Sequence, residues 1–233
     1  VTLVGVRVPP TAPVLQKYLL KFLGLFYRGG SSCHTSRIQF AVLAPITTID
    51  VCQYMQLILT VISSGSTIKL LMPLLGETGC RLAESVWLRL EDINLDNDLI
   101  HIRPNSARRL KNKTSERVVP LVGYAKLAIE QALTQADDEW LFPQYLKVGH
   151  CYATHASNAV SKWLKKDFGG LTAHCLSHTF RDRLRAIECS TDMIDQIGGW
   201  RLASSIGTNY GHGYSRLQVG RWLRLVLIPL GIR

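Results

Sequence analysis

The sequence predicts a mainly helical α+β domain with one small antiparallel sheet. Three observations carry that prediction. Segments with helical spacing of apolar residues recur from about residue 47 to 227, whereas only residues 99–103 and 117–121 read as strands. Those two strands flank a short basic stretch, so they make one hairpin and not a large sheet. Of the 233 residues, 47% are apolar, which suits one packed core and argues against wholesale disorder.

Residues 1–43 mix a Pro-rich start, a short apolar patch and a Gly-Ser run, with no sustained period. They lack the charged start, apolar middle and small-residue cleavage site of a signal peptide. We read them as a poorly structured N-terminal segment and residues 44–233 as the domain. From Phe40 to Ile62 the chain is strongly apolar, but Pro45, Asp50, Gln53 and Gln56 interrupt it. That argues for an amphipathic helix over a membrane span, which needs about 20 uninterrupted apolar residues. Thr47 or Thr48 is the expected cap, with Asp50 in the first turn.

After the Ser-Ser-Gly-Ser break at 63–66, residues 67–75 read as a helix. A Gly-containing turn at 77–84 then re-enters a helix toward Leu90. The hairpin carries Arg108, Arg109, Lys111 and Lys113 toward its tip. Residues 124–133, 155–166, 178–188, 192–197 and 217–227 all suit helices. The last stretch, 217–232, is apolar with arginines spaced through it.

A formal net charge of +10 favours a polyanionic partner. The six cysteines are far apart and form no CxxC pair, so reduced thiols in the cytosol are expected, with neither a disulfide framework nor a metal site. No cofactor motif is present.

The chemistry is expected between His174 and Tyr214. His178 and Arg181 stand three apart, so on a helix they share a face and aim at one small target. An anion is the natural target, because guanidinium grips phosphate or carboxylate through paired hydrogen bonds. Gly198, Gly199 and Trp200 follow, and Tyr210 is a candidate nucleophile close behind.

Five pieces in order resemble the tyrosine recombinase, or phage integrase, family. They are Arg81 in TGCRLAE, Lys111 in a basic hairpin ending in Arg-x-Val-Pro-Leu, His178-x-x-Arg181, Trp200 after Gly-Gly, and Tyr210. The match runs from Pro45 or Thr67 to Trp222. No single piece is diagnostic; their order and spacing together are. The resemblance implies a tyrosine recombinase catalytic-domain-like fold and a site-specific recombinase acting without cofactor on double-stranded DNA. It implies a 3′-phosphotyrosyl intermediate on Tyr210 and phosphate held by Arg81 and Arg181. Lys111 would protonate the leaving 5′-oxygen, and His178 would assist proton transfer. Trp200 would donate one hydrogen bond where the family commonly has histidine. Lys113 is the alternative to Lys111, and Tyr214 the rival to Tyr210, because the gap from Trp200 to Tyr210 is one residue longer than the common pattern.

The family usually carries a helical DNA-gripping domain ahead of this one, and residues 1–43 do not read as such a domain. Val6-Arg7-Val8-Pro9-Pro10 is what the T-loop segment of a tRNA gene would encode, so read-through of an attachment site is one expectation for these residues. By resemblance, the expected assembly is a homotetramer on paired sites, cytoplasmic and nucleoid-associated, serving integration or excision of a mobile element. Type IB topoisomerase activity and a DNA-binding remnant without turnover are the competing readings.

Overall fold

The computed structural model describes residues 48–105, 110, 115–137, 139–147, 150–151, 153–200 and 213–227, with backbone only at 147, 150 and 151. All belong to one unit, Ile46–Leu227. The expectations for residues 1–43, Thr47, the hairpin tip (Arg108, Arg109, Lys111, Lys113), Tyr210 and the chain after Leu227 lie outside the described residues.

Helix α1, Val51–Ser63, starts where the apolar stripe does, but its cap is Asp50 and not Thr48. The Asp50 carboxylate accepts from the Gln53 N–H at 2.8 Å, and the Gln53 side chain accepts from the Asp50 N–H at 3.2 Å. This reciprocal pairing satisfies two donors that a threonine at 48, two residues too early, cannot reach. Tyr54, Met55, Leu57, Ile58, Val61 and Ile62 form the buried stripe. Among the described residues, no helix is long and apolar enough to cross a membrane.

The expected helix at 67–75 divides into a 3₁₀ turn, Thr67–Leu70, and α2, Leu71–Thr78. Every residue of α2 is buried, as befits a helix enclosed on all sides. It packs against α4, Gly123–Leu133, and α6, Ala173–Ala186, and is the axis of the core. A short α3, Leu82–Val86, follows, and the chain then turns through Leu90–Asp92.

The sheet has three strands and not two: β1 (Ile93–Asn94), β2 (Leu99–Ile102) and β3 (Arg117–Pro120), all antiparallel in that order. Ile100 faces Val119 and both are buried, so register follows the apolar alternation that the sequence displays. A two-strand ribbon, β4 (Leu146–Lys147) with β5 (His150–Cys151), was not expected; each strand is too short to display a period. Helix α5, Ala153–Asp167, packs on α3 and α6. Helix α7, Thr191–Gly198, is capped by Ser190, and α8, Arg216–Leu225, lies against β3.

Candidate active site

Arg81 is placed by the turn between α2 and α3. Gly79 ends α2 in the left-handed region at φ +67°, where glycine carries no Cβ penalty. A Cβ there would lie 2.9 Å from Phe180 and 3.2 Å from the Gly198 Cα, so the turn is pressed against α6 and the end of α7. The Arg81 N–H donates to Glu84 Oε2 at 3.0 Å. Its guanidinium reaches three separate segments: Nη1 donates to Glu84 Oε1 at 2.6 Å and to Ser115 Oγ at 3.0 Å, and Nη2 donates to the Gly199 carbonyl at 2.9 Å. About a quarter of the side chain, 26%, stays exposed. The guanidinium is thus oriented yet accessible.

Arg181 approaches the same turn from α6. Its guanidinium carbon sits 5.1 Å from the centre of the Trp200 ring, within cation–π range. Nη2 forms an ion pair with the buried carboxylate of Asp195 at 2.8 Å. Its Nε–H is buried without a hydrogen-bond partner among the described residues. Trp200 is held by its own N–H donating to the Asp195 carbonyl at 2.9 Å, and its ring covers Gly198, where a Cβ would come within 2.4 Å. Arg81 on Gly199 and Arg181 on Trp200 therefore meet at adjacent residues. Two of the family-like pieces, about a hundred residues apart in sequence, converge here.

Helix α6 begins at Ala173, not near His178 as expected. Thr172 is its N-cap and was the available start signal, although its side chain makes no cap bond. The earlier start puts His174, Ser177, His178 and Arg181 at i, i+3, i+4 and i+7, one stripe of the helix. The two imidazoles meet edge to face with centroids 4.5 Å apart, and both are exposed. His174 thus lies against His178 on the same stripe, a placement the sequence reading did not assign it. Its spacing of four from His178 was the available signal.

Arg117 was missed entirely as a member of this cluster. Its side chain is 7% exposed and pairs with Glu84 Oε2 at 3.0 Å, so one carboxylate serves two guanidinium groups. Counting Arg81, Arg117 and Arg181 against Glu84 and Asp195, the five charges leave one positive in excess. The base of the hairpin, at Ser115, touches Arg81 directly; Lys111 beyond it, and the Tyr210 hydroxyl, are outside the described residues. Tyr214 is tied elsewhere: Gln196 bonds both its N–H and its carbonyl, at 2.8 and 2.7 Å, and its hydroxyl lies 3.3 Å from Ser190 Oγ. Among the described residues there is no group of three or more His, Cys, Asp or Glu side chains that could hold a metal ion.

The model of the phage integrase family matches residues 47–216, most of the chain and the whole of this cluster. The chain belongs to that family. Its fold is accordingly that of a tyrosine recombinase catalytic domain. This integrase-family chain is similar to XerA recombinase at 20% identity and a TM-score of 0.51, over 70% of this chain and 58% of that one. It is similar to the Tn1549 transposon integrase bound to circular intermediate DNA at 17% identity and 0.50, over 78% of this chain and 66% of that one. A complex of the same integrase with transposon right end DNA matches at 17% and 0.51, over 91% and 85%. The chain thus spans about three fifths of XerA and about two thirds of the first Tn1549 integrase complex. No curated protein matches the sequence.

Proposed function

We propose that this phage integrase family member is a site-specific DNA recombinase, cutting and rejoining duplex DNA for integration or excision of a mobile element. The observation that carries the reading is the meeting of Arg81 and Arg181 at the Gly199–Trp200 turn. Two fixed guanidinium groups at one turn suit a phosphate whose negative charge grows in the transition state. In the proposed reaction the Tyr210 oxygen attacks the scissile phosphorus, and the bond from phosphorus to the 5′-oxygen breaks. The phenolic proton passes to an imidazole of the His174–His178 pair. Lys111, or Lys113 in its place, supplies a proton to the departing 5′-oxygen. The phosphotyrosyl link conserves the bond, so rejoining by a 5′-hydroxyl needs no ATP or metal. Trp200 orients Arg181 and offers its indole N–H to the phosphate. The reading entails four protomers on paired sites and a cytoplasmic, nucleoid-associated protein.

A second reading, DNA binding without turnover, draws support from the ion pairs. Asp195 offsets the charge of Arg181, and Glu84 that of Arg81, before any phosphate arrives. Nicked suicide substrates separate the two. Wild-type protein should become covalently attached to DNA, Tyr210→Phe should not, and Tyr214→Phe should behave as wild type. Tight binding with no adduct from the wild-type chain would leave only the second reading.

A further inference from the structure

Arg117 stands on β3 with its side chain 7% exposed, packed against the turn that holds Arg81. All three of its nitrogens donate, to chain segments that lie far from one another in sequence. Nε donates to the Ile197 carbonyl at 2.9 Å, at the end of α7. Nη1 donates to the Ser115 carbonyl at 2.8 Å, at the base of the hairpin. Nη2 donates to Glu84 Oε2 at 3.0 Å and lies 3.6 Å from Cys80 Sγ.

These contacts shadow those of Arg81. Glu84 gives one carboxylate oxygen to the Arg81 guanidinium and the other to Arg117. Ser115 gives its hydroxyl to Arg81 and its carbonyl to Arg117. Gly199, whose carbonyl holds Arg81, lies two residues beyond the Ile197 carbonyl that holds Arg117. It also packs so closely on Arg117 that a Cβ would come within 2.4 Å of Nη1. Each of the three acceptors fixing Arg81 is therefore itself fixed, directly or within two residues, by Arg117. A planar fork of five donors spans such a set, and a single ammonium does not.

We propose that Arg117 is a positioning residue for strand cleavage, setting the orientation in which Arg81 meets the scissile phosphate. The proposal rests on the reading of this cluster as a strand-cleaving centre. It also makes the hairpin base and the end of α7 one mechanical unit, so that disturbing either one reaches Arg81 through Arg117.

The test uses Arg117→Lys in the full chain, because the retained charge keeps the buried Glu84 carboxylate paired. Arg117→Gln, which keeps an N–H donor for Glu84 but lacks the fork, is the second variant should the first not melt cooperatively. Adduct formation on nicked DNA should slow about a hundredfold while DNA affinity stays near the wild-type value, as misplacement of a reacting group typically demands. In an Arg81→Lys background the same change should add less than about threefold, because the two residues act as one. A readout independent of turnover is the order of the Arg81 Nε–H bond by NMR relaxation, which should fall in Arg117→Lys. Wild-type adduct formation with an unchanged Arg81 signal, or with multiplicative rate losses, overturns the positioning role alone. Failure of the wild-type chain to form adduct overturns the strand-cleavage reading, and the Arg81 signal then separately reports whether Arg117 orders it.

Discussion

Replacing Glu77 with Gln should flatten the pH dependence of stability. Glu77 lies in α2, 1% exposed, with one carboxylate oxygen accepting the Ala125 N–H at 3.0 Å and the other without a hydrogen-bond partner among the described residues. Tyr54, Tyr124 and Arg183 face it, but Arg183 spends its terminal nitrogens on the Gly76 and Val226 carbonyls, at 3.1 and 2.5 Å. Burial therefore dominates and raises the Glu77 carboxyl from 4.5 to about 7. Between those values the folded state binds a proton that the unfolded chain has released. The associated stability is fully present below pH 4.5, falls as pH rises, and is lost above about 7. The shift corresponds to about 3 kcal/mol, a large share of a typical domain's total. Glutamine keeps the acceptor for Ala125, offers its amide to Tyr54, and cannot ionise. Urea unfolding of both proteins from pH 5 to pH 8.5 measures the effect. Their stability difference should shift by about 2.5 kcal/mol in favour of Gln over that range, the rest of the effect falling below about pH 5. A difference that stays constant across that range would refute the reasoning, since other titrating groups cancel in the comparison.

The remaining predictions concern the site and its supporting turn. Arg81→Ala and Arg181→Ala should each slow adduct formation by about 10²–10³-fold with modest effects on DNA affinity, measured by single-turnover trapping; equal rates in variant and wild type would remove that arginine from the reaction. Gly79→Ala should destabilise the domain by about 1–3 kcal/mol in urea unfolding, because it places a Cβ at φ +67° and 2.9 Å from Phe180. A neutral result there would mean that α6 gives way more easily than its packing suggests.

Much of the architecture was already written in local pattern. The stripe of α1, the alternation of Ile100 and Ile102, and the break at residues 64–66, one residue later than expected, each depend on neighbours in sequence, so periodicity reports them directly. Arg81, Arg181 and Trp200 could be singled out from sequence because side-chain chemistry and order along the chain survive without coordinates, and the structure brings them to one turn. Boundaries set by weak signals were not legible: the start of α6 at Ala173 lacks a side-chain cap bond, and β4 and β5 have two residues each. His174 was assigned no role for the same reason, since its place on the stripe with His178 and Arg181 depends on that helix start.

What the sequence alone determined is the inventory: a helical core, one basic hairpin, and a set of cations and a tyrosine suited to phosphate chemistry. Only tertiary structure decided which charges meet. The Arg81–Glu84 pair is three residues apart and legible from spacing, but that Arg117 shares the same carboxylate, that Asp195 partners Arg181, and that Gly199 accepts from Arg81 are contacts across 33, 14 and 118 residues. No local period encodes such pairings. They arise because burying α2 on every side draws its C-terminal turn against α6 and α7, and buried charges there must find partners.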